Sequence, residues 1–84
     1  MSYTARLIDG VGTTLEDTTQ GTAYYVSAGG VLTLVEFDAN DGAWRIQGEF
    51  APGAWMTVDG TRFNGNRDTL KGHEGAIVNG EYIP

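Results

Sequence analysis

The chain contains no cysteine and one histidine, His73, and these absences narrow its chemistry. Without cysteine there is no disulfide, no thiolate zinc site and no cysteine nucleophile. A lone histidine between glycines in a polar loop is most often solvated. The two serines, Ser2 and Ser27, stand outside any nucleophile-elbow pattern. We therefore expect a protein that is not an enzyme and that has no catalytic residue, no metal and no cofactor.

Positive charge is scarce and unevenly placed. Five Lys and Arg residues face eleven Asp and Glu residues, which gives a net charge of −6. Between Arg6 and Arg45 every charged residue is acidic, which disfavours nucleic-acid binding. From residue 60 to residue 73 the balance is basic and includes Arg62 and Arg67. This dipolar distribution favours contact with proteins, including head-to-tail contact between copies.

Long hydrophobic runs are also missing. No stretch approaches the length of a membrane span, and residues 1–6 lack the basic and apolar pattern of a secretory signal. We expect a cytoplasmically made protein without membrane contact. The length of 84 residues predicts one domain, 1–84, with a shallow core. We expect such a small domain to gain stability by binding a partner or other copies of itself.

Glycine is abundant, and it marks turns at intervals of about ten residues. Asp9-Gly10, Asp41-Gly42 and Asn79-Gly80 are examples of dipeptides that suit hairpin turns, because glycine reaches positive φ without steric cost. The runs between turns are β-branched and aromatic, and none keeps a helical period. The runs predict strands at 3–8, 22–27, 31–37, 43–50, 54–58, 61–63, 69–71, 76–78 and 81–83.

These runs predict an all-β fold, a small antiparallel β-sandwich or partly open barrel of seven to nine short strands. The connections are short, so antiparallel neighbours are the default. Residues 9–21 are polar and threonine-rich, and we expect a flexible loop there.

The run 31–37 is apolar on both faces. Val35 lies on one side of the strand, while Leu32 and Leu34 lie on the other. Either the strand is central and covered on both sides, or the two leucines lie in an interface. A small chain has few elements to cover a second face, which keeps the interface alternative open.

The two tryptophans fall on neighbouring predicted strands. Alternation places Trp44 with Ile46 and Phe50 on one face, where Gly48 leaves room for a neighbour or marks a bulge. If the strands pair, Trp44 and Trp55 lie on opposite faces, one in the core and the other exposed. If Trp55 is exposed, its ring could stack against a sugar or serve as the anchor of a protein interface. If Trp55 is half-covered, it would instead cap the edge of the core.

The run from Trp44 to Phe50, the Pro52-Gly53 turn and the run from Trp55 to Val58 form a pattern that spans the middle of the chain. This pattern resembles the central hairpin of small β-sandwich proteins of tailed-phage virions, of the capsid decoration and head-fibre types. The resemblance implies a non-enzymatic virion protein, made in the host cytoplasm, that binds the capsid shell, stabilises it and forms oligomers.

On this basis we assign a candidate interface with capsid protein or with other copies to Leu32, Leu34, Trp55, Arg62 and Arg67. Two alternatives stay open. One is a carbohydrate-binding module that uses Trp55 with Tyr24 or Tyr25 as ring platforms. The other is a small acidic inhibitor that mimics nucleic acid through residues 9–41.

Overall fold

A computed structural model describes residues 2–8, 10–17, 21–65, 70, 76–79 and 81–83. These residues contain eight β-strands and no helix, which confirms the all-β prediction. The strands are β1 (Tyr3–Leu7), β2 (Thr14–Asp17), β3 (Thr22–Val26), β4 (Leu32–Asp38), β5 (Ala43–Phe50), β6 (Trp55–Gly60), β7 (Ala76–Val78) and β8 (Glu81–Ile83).

The strands form two sheets packed as a sandwich that is not closed into a barrel. The first sheet has the order β2-β1-β6, and the second has the order β3-β4-β5-β7-β8. The core between them is a cluster of five buried residues. Its members are Tyr3, Ala5, Leu32, Leu34 and Phe50.

The expectation of purely antiparallel neighbours is wrong at one place, because β5 and β7 pair in parallel. After β5 the chain turns at residues 51–54 and enters β6 in the other sheet before it returns. Gly53 has a φ of 90°, and the Ala54 amide donates to the Ala51 carbonyl at 2.9 Å. The predicted hairpin between the two tryptophan strands is therefore wrong, since this turn is a corner between sheets.

The predicted flexible loop at 9–21 contains β2, so that prediction is wrong for residues 14–17. The strand pairs with β1 in antiparallel register, with Ala5 opposite Leu15. Its residues alternate between exposed and half-buried, and Leu15 packs against the core. Threonine favours strands, and one inward leucine is enough to hold a short one. Residues 9 and 18–20 lie outside the described residues.

The interface prediction for Leu32 and Leu34 is wrong. The exposed fractions of the two residues are 0% and 1%, and both lie in the core cluster. Their strand β4 is central, with β3 on one side and β5 on the other, and the first sheet covers the face that carries the leucines. The alternative of a central strand covered on both faces is the one that the structure shows.

A bulge in β5 changes which face its side chains share. Leu34 pairs with Gly48, but Val35 pairs with Ile46, so one residue of β5 is skipped. Phe50 therefore lies in the core while Trp44 and Ile46 lie on the outer side, and the predicted common face is wrong. A Cβ at Gly48 would lie 3.2 Å from the Ile77 carbonyl oxygen and 3.3 Å from the Phe50 ring, so a larger residue would crowd both.

Candidate interaction surface

The outer face of the five-stranded sheet carries a row of four aromatic rings, which we call the ring row: Tyr25, Phe63, Trp44 and Phe37. The Trp44 ring lies 5.6 Å from the Phe37 ring and 5.2 Å from the Phe63 ring, with planes inclined by 65° and 67°. Such edge-to-face pairs are a preferred packing of aromatic side chains. Phe37 is 42% exposed, so the end of the row is open to solvent.

Beneath the ring row lies a second, smaller apolar cluster. Val35 and Ala23 lie on the outer side of their strands, opposite each other in the pairing of β3 with β4. Their exposed fractions are 0% and 1%, although neither belongs to the core between the sheets. The second sheet is therefore apolar on both faces, as a central strand such as β4 requires.

Phe63 reaches the ring row from a segment that follows β6. The Tyr24 amide donates to the Thr61 carbonyl at 2.9 Å, and the Phe63 amide donates to the Tyr24 carbonyl at 2.7 Å. The segment thus runs alongside β3 and covers part of that edge strand, although only an isolated bridge forms where a strand was predicted at 61–63. A Cβ at Gly65 would lie 2.5 Å from the Phe63 ring, so glycine permits this close approach.

Two cavities flank Phe63 on this face. One, of about 230 Å³, lies towards Ala23 and Trp44, and the other, also of about 230 Å³, lies towards Tyr25. Arg62, Phe63 and Asn64 line both cavities, and Arg62 is the only charged lining residue in either. Arg62 is exposed and forms no ion pair within the described part of the chain. A cation with free hydrogen-bonding capacity therefore adjoins the rings.

The turn between β4 and β5 carries Asp38, Asp41 and Arg45, which we call the acidic turn. Asp38 follows Phe37 and Arg45 follows Trp44, so the register places these two charged side chains on the opposite face of the sheet from the rings. The Arg45 Nε donates to Asp38 at 2.9 Å, and Arg45 also pairs with Asp41. Hydrogen bonds from Arg45 and from the Asn40 amide lower the pKa of Asp38. The hydrogen bonds that Arg45 donates to Asp38 and Asp41 raise the pKa of Arg45. With two carboxylates and one guanidinium, the acidic turn has one net negative charge.

Polar side chains close one edge of the space between the sheets. The Tyr3 hydroxyl donates to Gln47 Oε1 at 2.7 Å, and Gln47 Nε2 donates to Asp17 at 3.2 Å and to Glu36 at 3.4 Å. Burial, and then the charges of Asp17 and Glu36, raise the pKa of Tyr3. The phenol therefore stays protonated as a donor, and we assign this network a structural role.

The structure reverses the predicted roles of the two tryptophans. Trp55 is half-buried, packs against the core and donates from Nε1 to the Gly30 carbonyl at 2.9 Å. Trp44, which was grouped with core residues, lies in the ring row. The prediction of an exposed interface at Trp55 is wrong because β6 turns this side chain inwards, across to the turn after β3.

Of the remaining predicted residues, Arg62 lies beside the ring row, and Arg67 lies outside the described residues. Tyr24 packs against the core and offers no platform, whereas Tyr25 belongs to the ring row. Sequence reasoning missed Phe37 and Phe63. The available signal was the other side of the strand at 31–37, where Val35 and Phe37 recur with a period of two.

The described residues hold no group of three or more His, Cys, Asp or Glu side chains placed to bind a metal ion. Among the same residues, no helix is long and apolar enough to cross a membrane. No protein-family model, curated protein or solved structure matches the chain.

Proposed function

We propose that this protein is a non-enzymatic structural protein that acts by binding other protein subunits through the ring row. The observation that carries the proposal is the row of partly exposed rings beside an unpaired Arg62, within the described residues. Aromatic residues and arginine are the residue types that contribute most to binding at protein interfaces.

The size of the cavities favours a protein over a small molecule. Each has a volume of about 230 Å³, below the range of about 300–1,000 Å³ that is usual for small-molecule sites. Shallow depressions beside rings accept single side chains from a partner surface, which is how interface anchors pack.

The two alternative functions fit the geometry less well. A sugar platform needs an open, flat ring face, but Trp55 and Tyr24 pack against the core, and the rings of the row stand at 65° and 67° to one another. A mimic of nucleic acid needs a row of free carboxylates. Here Asp17 and Glu36 accept hydrogen bonds from Gln47, and Arg45 pairs with the carboxylates of the acidic turn.

The setting that we propose is a virion, where copies of the protein bind a capsid shell and stabilise it. The sandwich fold, the small acidic chain and the lack of cysteine support this setting. The tryptophan strands that resemble a phage hairpin lie in different sheets, so this part of the proposal depends on composition and fold class.

The test is binding of the labelled protein to empty capsid shells of tailed phages, measured by co-sedimentation. Phe37→Ser removes an exposed ring from the row, and Met56→Ser is the matched control because Met56 is 57% exposed on the other sheet. We expect Phe37→Ser to weaken binding about tenfold, because an interface anchor contributes more than about 1 kcal/mol. Met56→Ser should bind as the wild type does.

Equal binding by the wild type and both variants would contradict the role of the ring row. Titration of the protein with a panel of soluble glycans, followed by tryptophan fluorescence, tests the carbohydrate-binding alternative in parallel. A saturable shift with one glycan, lost in Phe37→Ser, would replace a protein partner by a carbohydrate.

A further inference from the structure

We infer that the free edge of β2 is a second binding site, which takes an extended, basic segment of a partner protein as an added strand. The site goes beyond the proposed function, because it lies in the three-stranded sheet and shares no residue with the ring row. Three features of this edge point to such a partner: the backbone of β2, a cavity beside the strand and the charge of its side chains.

The backbone of β2 has hydrogen-bonding groups that face away from β1. The Leu7 amide donates to the Thr13 carbonyl at 2.8 Å, and bonded pairs alternate with non-bonded pairs along an antiparallel ladder. The amides and carbonyls of Thr14 and Glu16 therefore point to the free edge. β2 is the last strand of its sheet in the described part of the chain, and no hydrogen bond there joins these groups to another strand.

A place for another strand lies beside β2. In this sandwich a sheet of three strands packs on a sheet of five, and β2 lies on the side of β5 and β7. A cavity of about 170 Å³ lies there between the sheets, and its apolar lining includes Leu15, Phe50 and Ile77. Ile77 is 41% exposed, although it pairs with Gly48 and shares its inner face. A strand added next to β2 would cover Ile77 and direct alternate side chains into the cavity.

This combination is the one by which an extended peptide is recognised at a sheet edge. Main-chain hydrogen bonds supply affinity, and pockets for alternate side chains supply specificity. Leu15 is half-buried and faces the cavity, so a partner residue opposite it is apolar. Glu16 is exposed on the outer side and forms no ion pair within the described residues. A partner residue opposite Glu16 is therefore lysine or arginine.

Charge favours a basic partner over a second copy. Pairing of β2 with the β2 of another copy would bring together four carboxylates, because each strand carries Glu16 and Asp17. Like charges on facing strands repel each other, and acidic side chains protect an edge strand from such pairing. The net charge of −6 opposes contact between copies further. A segment in which apolar and basic residues alternate suits both the cavity and the carboxylates.

The experiment is an NMR titration of the isotope-labelled protein with the capped hexapeptide Lys-Val-Lys-Val-Lys-Val. Binding as an added strand should shift the amide signals of Thr14 and Glu16 to saturation and slow the exchange of these amides with solvent. The hexapeptide Lys-Lys-Lys-Val-Val-Val has the same composition without the alternation. It should bind about tenfold more weakly, because it cannot place valine in the cavity and lysine opposite Glu16 at once.

Three variants separate charge from packing. Glu16→Lys should bind the alternating lysine peptide about tenfold more weakly and should bind Glu-Val-Glu-Val-Glu-Val instead. Asp59→Lys is the matched control, because it makes the same change of charge on β6, at the other edge of the same sheet. It should bind the lysine peptide as the wild type does. Ile77→Ser keeps the charge and should weaken binding about threefold to tenfold, because it removes apolar surface that the added strand covers.

Four outcomes would overturn the inference. The first is the absence of a shift at Thr14 and Glu16, and the second is equal binding of the alternating and block peptides. The third is an equal loss of binding in Glu16→Lys and Asp59→Lys, which would show that net charge alone attracts the peptide. The fourth is a shift of the two amides with protein concentration alone, which would show that a second copy occupies the edge. Phe37→Ser should bind the peptide as the wild type does, so failure at this edge leaves the test with capsid shells unaffected.

Discussion

The two outer faces of this sandwich differ in what they present to solvent. The three-stranded sheet has one exposed large apolar side chain, Met56. The rest of its outer face, which we call the polar face, carries exposed hydroxyl and charged residues: Thr4, Arg6, Thr14, Glu16, Thr57 and Asp59. The outer face of the five-stranded sheet has the ring row over buried Val35 and Ala23. One sheet is amphipathic, as antiparallel sheets with one solvated face are, and the other is apolar on both sides.

This difference indicates where the protein meets its partners. A face of threonines and charges is fully hydrated and gains little by being covered. A face with partly exposed rings gains free energy when a partner excludes water from it. The second face has several rings beside Arg62, which forms no ion pair among the described residues, and that is why the proposed contact lies there.

The largest contrast between the faces should come from placing a charge on each. Val35→Asp buries a carboxylate beneath the ring row without a partner, and we expect the free energy of unfolding to fall by more than about 3 kcal/mol. Thr57→Asp places a carboxylate on the polar face, opposite Arg6. This variant should change the free energy of unfolding by less than about 0.5 kcal/mol. Urea unfolding measures both, and equal losses would show that the faces are not different.

A smaller difference in stability should distinguish substitutions of the two tryptophans. Trp55→Phe leaves the Gly30 carbonyl without its donor and reduces packing against the core, so we expect a loss of about 1–2 kcal/mol. Trp44→Phe keeps an aromatic ring in the row and should cost less. If Trp44→Phe proves the more destabilising of the two, the assignment of Trp55 to the core side is wrong.

The smallest effect should be the pH dependence that Tyr3 confers. Burial raises its folded-state pKa above the unfolded value, which is about 10. The folded protein therefore keeps the phenol proton where the unfolded chain loses it. Its contribution is complete below about pH 10 and declines as the pH rises further.

Removal of the hydroxyl tests this directly. Tyr3→Phe also removes the bond to Gln47, so near pH 8 the variant should be about 1 kcal/mol less stable. Above about pH 10 the urea midpoints of the two proteins should converge, because only the wild type has the Tyr3 phenol, whose loss of a proton in the unfolded chain lowers stability there. A constant difference from pH 8 to pH 11 would contradict a raised pKa for Tyr3.

Much of the fold was predictable from local signals. Glycine turns and β-branched runs are local properties, and they placed strands at 43–50, 76–78 and 81–83 with the observed bounds. They also predicted the all-β class. The strand predicted at 69–71 falls partly outside the described residues.

The arrangement of the strands was not predictable in this way, because it depends on contacts distant in sequence. The prediction for β5 assumed that its side chains alternate strictly between the two faces of the sheet. The bulge opposite Leu34 breaks that alternation and places Trp44 on the outer face. Apolar residues on both faces of β4 correctly indicated a second apolar surface, but they do not tell which face the other sheet covers. Leu32 and Leu34 were therefore assigned to an interface, whereas the exposed residue of this strand is Phe37, on the opposite face.

The most direct test of the difference between the faces is the co-sedimentation of the wild type, Phe37→Ser and Met56→Ser with empty capsid shells at matched concentrations. The two variants each remove one exposed apolar side chain, from the ring row and from the three-stranded sheet respectively. We predict that the wild type and Met56→Ser bind the shells equally well, while Phe37→Ser binds about tenfold more weakly. The same binding curve for all three proteins would contradict the ring row as the surface of contact.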